Sequence, residues 1–160
     1  MEEASPSRLD KVDRRILDLV QREGALSVAE VAARTGLSTT TCGRRIQALE
    51  QSGVIKGRVA LLDRAALGLD VTIFAHVKLS SQGRDAIAAF AEAIRERPEV
   101  LDCYTTMGEW DFMLRVVTRD IKAYEAFYLD HLSKLPNVQS INSSVTVTVI
   151  KETTILPITL

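Results

Sequence analysis

Between Ser38 and Gln47 the sequence S-T-T-T-C-G-R-R-I-Q sets short hydroxyls ahead of two guanidinium groups and an amide. Such side chains hydrogen-bond phosphate oxygens and base edges. Ser38, Thr39, Thr40, Thr41, Arg44, Arg45 and Gln47 are therefore the candidate contacts to double-stranded DNA. At helical spacing Thr39, Thr40, Gly43, Arg44 and Gln47 share an outward face, with Gly43 allowing close approach of a backbone. Cys42, Ile46 and Leu49 share the apolar face opposite. From Val31 to Arg58 the cations are Arg34, Arg44, Arg45, Lys56 and Arg58, against Glu50 alone, in a chain whose net charge is −1. A local basic patch on a near-neutral chain suits a phosphate backbone. An ordinary helical pair with a solvated polar face has the same periodicity, and charge is what separates the two readings.

The second stretch with chemical variety is Gly108-Glu109-Trp110-Asp111. Backbone donors exposed by Gly108 suit a carboxylate, while Glu109 or Asp111 suits an ammonium. A small zwitterion such as an amino acid needs that pair of opposite partners. Thr105, Thr106, Ser143 and Ser144 fall on strands expected near the loop and are candidate polar liners. A hairpin with a packed Trp beside a solvated sheet face is the plainer alternative. No nucleophile elbow, phosphate-binding loop or dinucleotide fingerprint is present. Cys42 and Cys103 lie far apart without metal-ligand spacing, and His76 and His131 stand alone. No catalytic residue, metal site or cofactor is expected, and the thiols read as reduced in a cytoplasm.

The elements that must carry these residues follow from period and punctuation. Residues 1–7 read as disordered. From Arg8 to Glu23, Leu9, Val12, Ile16, Leu19 and Val20 recur at helical spacing opposite a charged face. A second helix follows Ser27 with Val28, Val31 and Ala32 inward; Gly36 supplies a left-handed turn and Ser38 a cap for the third. Residues 8–54 thus form a helix-turn-helix unit, followed by a linker, 55–68, in which the β-prone Val54–Leu62 reads as a strand before a polar turn. From residue 69 to 160 the periods alternate. A strand ends at Leu79, and a helix spans Gln82–Arg97. Two strands, Val100–Met107 and Asp111–Thr118, flank the Gly108 turn. A second helix covers Asp120–Leu135, and Val145–Val149 reads as the last strand. The class is α+β, with βαββαβ order in the second domain. Two helices cover one sheet face, and a second copy covering the other makes a homodimer the economical expectation. At 160 residues, with 46% hydrophobic and 26% charged, the chain has room for two small domains. It holds no apolar run able to span a bilayer, and its acidic, Pro-containing start is unlike a signal peptide.

The opening L-D-K-V-D-R-R-I-L-D-L-V, the reader segment, G-V-I-K-G-R-V-A-L-L-D, M-G-E-W-D-F-M-L-R-V and V-T-V-T-V-I-K-E-T-T together resemble the Lrp/AsnC (leucine-responsive, feast/famine) family from about Leu9 to Pro157. The resemblance implies a winged helix-turn-helix joined by a β-linker to a ferredoxin-like, ACT-like (RAM) effector domain. It implies dimers assembling into tetramers or octamers, and a sequence-specific transcriptional regulator of amino-acid metabolism or transport. Its effector loop falls on Met107, Gly108, Glu109, Trp110 and Asp111, with Trp110 where the family more often has Tyr. T-T-T-C-G-R-R resembles a T-T-P-C-W-[KR]-R version but lacks the Pro and has Gly43 in place of Trp. Two alternatives share the fold: a siroheme-decarboxylase-like enzyme, which would use His and Arg on a tetrapyrrole and finds no His cluster here, and an architectural protein that wraps DNA.

Overall fold

The computed structural model describes residues 9–81 and 83–158; the expected disordered start, Arg8 and Gln82 lie outside them. Two units result, one from the described parts of Met1–Leu62 and Lys151–Leu160, the other Asp63–Ile150.

The first unit holds α1 (Lys11–Arg22), α2 (Val28–Thr35) and α3 (Thr39–Gln51). Each begins on a residue suited to close it. Asp10 accepts from the Asp13 amide at 2.8 Å while the Asp13 carboxylate accepts from the Asp10 amide at 3.2 Å. Ser27 and Glu30 repeat the exchange at the head of α2, and Ser38 Oγ accepts from the Thr41 amide at 3.2 Å. These bonds satisfy donors that a first helical turn leaves unpaired. Gly36, at φ +74°, turns the chain between α2 and α3 in a region that L side chains rarely enter. Ile16, Val31, Cys42, Ile46 and Leu49 meet in the centre of the unit. Each buried aliphatic side chain is worth about 1.5–3 kcal/mol, enough for a small helical unit and little more.

Two sequence expectations need correction here. Val54–Leu62 forms no strand, because alternation makes a ladder only where a neighbour supplies amides and carbonyls, and no described residue does so; Val59 is left 83% exposed. Of the residues expected to extend the sheet domain to residue 160, the described ones from Lys151 to Ile158 group with the helical unit instead. Ile158 packs against the helical core, and an apolar residue looks the same in sequence whichever core it joins.

The second unit runs β1 (Val71–Leu79), α4 (Arg84–Arg95), β2 (Val100–Thr105), β3 (Phe112–Thr118), α5 (Ile121–Asp130), a 3-10 turn at Leu132–Lys134 and β4 (Val138–Val145). The strands pair antiparallel in the order β2-β3-β1-β4, which is the expected βαββαβ plan. Ile73, Ala75 and Val77 of β1 and Phe112, Leu114 and Val116 of β3 turn to the helices, where Phe90 sits with its ring 4.3 Å from that of Phe112. On the opposite face stand Phe74, His76 and Lys78, with Arg115 and Met113 on β3 and Tyr104 on β2. The last strand is also displaced from its expected place. It runs through the polar Q-S-I-N-S-S and ends at Val145, because its partner is β1 and only Thr146 continues the pairing, through its amide to the Thr72 carbonyl at 2.9 Å. Beyond it, Val147 is 98% exposed.

Candidate functional site

On α3 the solvent-facing residues are Thr39, Thr40, Arg44, Gln47, Ala48, Glu50 and Gln51, and the first four carry the hydroxyl, guanidinium and amide groups suited to a nucleic acid. They follow from the helix's own period, since Cys42, Ile46 and Leu49 are buried against α1 and α2. No acidic residue occupies the first turn of α3. Its amide dipoles therefore present an uncompensated positive end beside two hydroxyls. Ser38 and Thr41 are used locally, the Ser38 hydroxyl lying 2.8 Å from Thr41 Oγ1 while it caps the helix.

Two expected members of that face lie elsewhere. Arg45 turns toward α1, its Nη1 donating at 2.7 Å to both Asp10 and Asp13. The guanidinium thus braces the reading helix against the cap of α1. The Asp10 carboxyl is held below its ordinary range, first by the Asp13 amide and then by Arg45. Gly43 is half-buried and faces α2, where an added Cβ would lie 3.5 Å from Val28 Cγ1. Its Cβ direction is toward the neighbouring helix. The D-x-x-D pattern at Asp10 and Asp13 signals a helix cap in sequence, but the partner thirty-five residues away gives no such signal.

The β2–β3 loop is tied down at its base and open at its tip. Thr106 donates from its amide to the Asp111 carbonyl at 2.9 Å and from its hydroxyl to the Trp110 carbonyl at 2.6 Å. Asp111 is anchored to β1, its amide donating to the Val77 carbonyl and its carboxylate accepting from the Leu79 amide at 2.7 Å. Lys78 Nζ donates to the Glu109 carbonyl, and the Trp110 ring lies 6.1 Å from His76. Gly108 adopts φ +134°, a conformation open to glycine. Met107, Gly108 and Glu109 are exposed, Met107 completely. The tip therefore offers an apolar side chain, backbone and one exposed carboxylate side by side, the mixed chemistry that a small amphipathic ion requires.

The remaining candidate liners are dispersed. Thr105 points to the helix side of β2, where with Cys103, Leu101, Phe112 and α4 it lines a cleft of about 380 Å³. Ser143 pairs across from Ala75 on the helix side and lies 2.5 Å from the Tyr124 hydroxyl, whereas Ser144 faces the other way, opposite Phe74. Burial pushes the Tyr124 phenol up, against the hydrogen bond to Ser143. β2 and β4 are opposite edges of the sheet; at ~4.8 Å per strand they stand roughly 14 Å apart. Within one chain the loop gathers Thr106–Asp111 with His76 and Lys78, and leaves Ser143 and Ser144 at the far edge. Sequence reading missed His76 and Lys78 as neighbours of the loop. Their period-two spacing places them on one face of a strand without showing which loop that face meets.

A helix-turn-helix with a cationic, hydroxyl-bearing outer face, followed by a βαββαβ sheet with a projecting hairpin loop, defines a two-part DNA-binding regulator. Residues 9–56 match the winged helix-turn-helix DNA-binding family and residues 72–156 the Lrp/AsnC ligand-binding domain; the chain belongs to the Lrp/AsnC family of transcription regulators. It is 37% identical over 150 residues to the DNA-binding transcriptional activator DecR of Escherichia coli, covering 94% of this chain and 99% of that one. It is also 37% identical over 153 residues to the glutamate uptake regulatory protein of Zymomonas mobilis, over 94% of this chain and 92% of the relative. A transcriptional regulator of Neisseria meningitidis, solved in complex with L-Met, superposes with a TM-score of 0.89 at 37% identity, over 93% of this chain and 96% of that one. The protein is accordingly a DNA-binding transcription regulator with a ligand-binding domain. Among the described residues no helix is long and apolar enough to cross a membrane.

Proposed function

We propose that this chain is a cytoplasmic regulator of genes for amino-acid metabolism or transport, a binding protein without turnover, whose grip on its operator answers to a free amino acid held at the β2–β3 loop. The observation that carries the reading is the exposed quartet Thr39, Thr40, Arg44 and Gln47 on a helix braced from behind by Arg45. Hydroxyls and the helix start suit phosphates, while Arg44 and Gln47 reach base edges. The amino-acid class is supported by the mixed chemistry of the loop tip and by the L-Met complex of the Neisseria relative.

The working form is a homodimer that assembles further into tetramers or octamers. Phe74, Met113 and Tyr104 on the helix-free sheet face, and the exposed Val59, Leu61 and Leu62, give apolar surface that a second copy would bury. The loop of one protomer also lacks enclosing walls of its own. A ligand there would favour one assembly over another and so change the spacing of the reading helices.

A gel shift of the DNA upstream of the chain's own gene, repeated with each protein amino acid and read beside the mass in solution, tests this. A retarded band that weakens with salt and shifts with one or a few amino acids is expected. A strictly monomeric protein indifferent to every duplex and every amino acid would overturn it.

A further inference from the structure

The family's ligand-binding region extends to residue 156, yet the residues from Lys151 belong physically to the helical unit. Their attachment there is specific. The Gln21 side-chain amide bonds both ways to one backbone residue: Nε2 donates to the Leu156 carbonyl at 3.1 Å, and Oε1 accepts from the Leu156 amide at 2.9 Å. A side-chain amide thus plays the part of a neighbouring strand. Asp18 helps aim it, accepting from the same Nε2 at 3.2 Å. Two residues on, Ile158 packs onto the helical core, beyond Pro157, whose ring fixes the local backbone. The Ile158 amide closes a tight turn to the Leu156 carbonyl at 2.9 Å.

We propose that Thr154–Ile158 is a releasable strap that holds the reading unit, and that events in the sheet unit reach the reader through it as well as through the linker. This rests on the functional reading above for what the sheet unit senses. The covalent path is short. β4 ends at Val145, Thr146 still bonds to Thr72, and the chain from Val147 to Thr153 has no ladder before the strap docks. A pull at the end of β4 therefore reaches α1 through ten residues of chain, from Thr146 to Leu156. The docking is weak enough to let go: both Gln21 bonds are exposed, so water can replace them at small net loss, and Ile158 is the one side chain of the strap that the helical core takes in.

The test uses the full chain and three variants: Gln21→Ala, Ile158→Ser, and insertion of Gly-Ser-Gly after Thr148, which loosens the tether and leaves every docked residue in place. Amide exchange at Leu156 and in the last turn of α1 is measured first, without ligand. In the parent chain Leu156 should exchange about tenfold more slowly than in Gln21→Ala; equal rates overturn the strap. Operator affinity is then measured with and without each protein amino acid. The insertion should keep operator affinity within about threefold of the parent and flatten the amino-acid response, since only the tether has changed. A response as large in the insertion as in the parent overturns the coupling, even where Ile158→Ser unfolds the reader. If the parent responds to no amino acid while Leu156 remains protected, the strap stands and the functional reading has failed.

Discussion

The two units solve different problems with different materials. Every aromatic residue of the chain lies between Phe74 and Tyr128, in the sheet unit, where Phe90 stacks on Phe112 beneath four strands paired over long stretches of sequence. The reader has no aromatic residue at all. It relies on three short helices, three local caps and a few side-chain braces, among them Arg45 to Asp10 and Asp13 and Arg34 to Glu23. Its proposed reading face is nonetheless carried by a single helix of one chain, because one helix face is what enters a groove of DNA. The sheet unit is the better packed of the two, yet its candidate site has a floor and no walls. A small molecule must be enclosed on several sides, and the residues expected to enclose it sit on opposite edges.

That contrast is broken most forcefully at Phe90. Phe90→Ala removes the ring that fills the space between α4 and β3 and should cost about 3–5 kcal/mol. The one tryptophan, Trp110, belongs to the sheet unit, so its fluorescence should report an early thermal transition. If the units fold separately, the helical signal of the reader should remain. A single coincident loss of both signals would show that the two cores depend on each other. Next in size is Arg44→Ala, expected to weaken operator binding by about 1–3 kcal/mol and to leave the melting temperature unchanged. Arg45→Met should do the reverse, lowering the reader's melting temperature while leaving the salt dependence of binding as it was.

What the sequence revealed follows the same division. The reader's helices, the Gly36 turn and the Ser38 cap are local events, set by residues three or four apart, and were legible. So was the βαββαβ order, because periods of two and 3.6 alternate cleanly. What escaped depended on distant partners. The polar stretch Gln139–Ser144 is a strand only because β1 lies beside it, and V-T-V-T-V looks like a strand while lacking a partner past Thr146. Arg45, a candidate contact by its charge, and Gly43, on the outward face by helical spacing, show that a sequence does not say which neighbour a residue will meet; Asp10 and Val28 decide it. The site at the sheet was legible as a loop and not as a pocket, since Ser143 and Thr105 gave no sign that two strands lie between them.

A smaller effect sharpens the account of α3. Gly43 sits in a helix interior, where Gly is roughly 1 kcal/mol less favourable than Ala. Its missing Cβ would reach Val28 at 3.5 Å, an ordinary contact. Gly43→Ala should therefore raise the reader's melting temperature, by about 4–8 °C if the full 1 kcal/mol is realised in a unit of this size. Operator affinity should hold or improve, because the substituted face is turned to α2. A loss of operator binding with gained stability would return Gly43 to the DNA face.

The mildest perturbation is acid, and it should find the reader first. Asp10 is held low by the Asp13 amide and then Arg45, Asp18 by Arg22, and Glu30 by the Ser27 hydroxyl and then its amide. All three lie in the helical unit. A carboxyl whose folded pKa is depressed lends its full stabilisation above its ordinary value and loses it as pH falls through the folded one. The reader's contribution should thus hold at pH 7 and begin to fall below about pH 5, dropping further under the ordinary carboxyl range near 4. All three groups keep contact with solvent, so each loss is small, and added salt should shrink the Asp18 and Asp10 contributions more than that of Glu30, whose hydrogen-bond partner Ser27 is neutral and whose attraction to Arg34 is the least of its causes. Amide resonances of α1–α3 followed beside Trp110 fluorescence from pH 7 to pH 3 separate the units: the α1–α3 amides should lose their helical shifts at higher pH than the fluorescence moves. If the fluorescence moved first, the caps and the Arg45 brace would not be what sets the reader's margin.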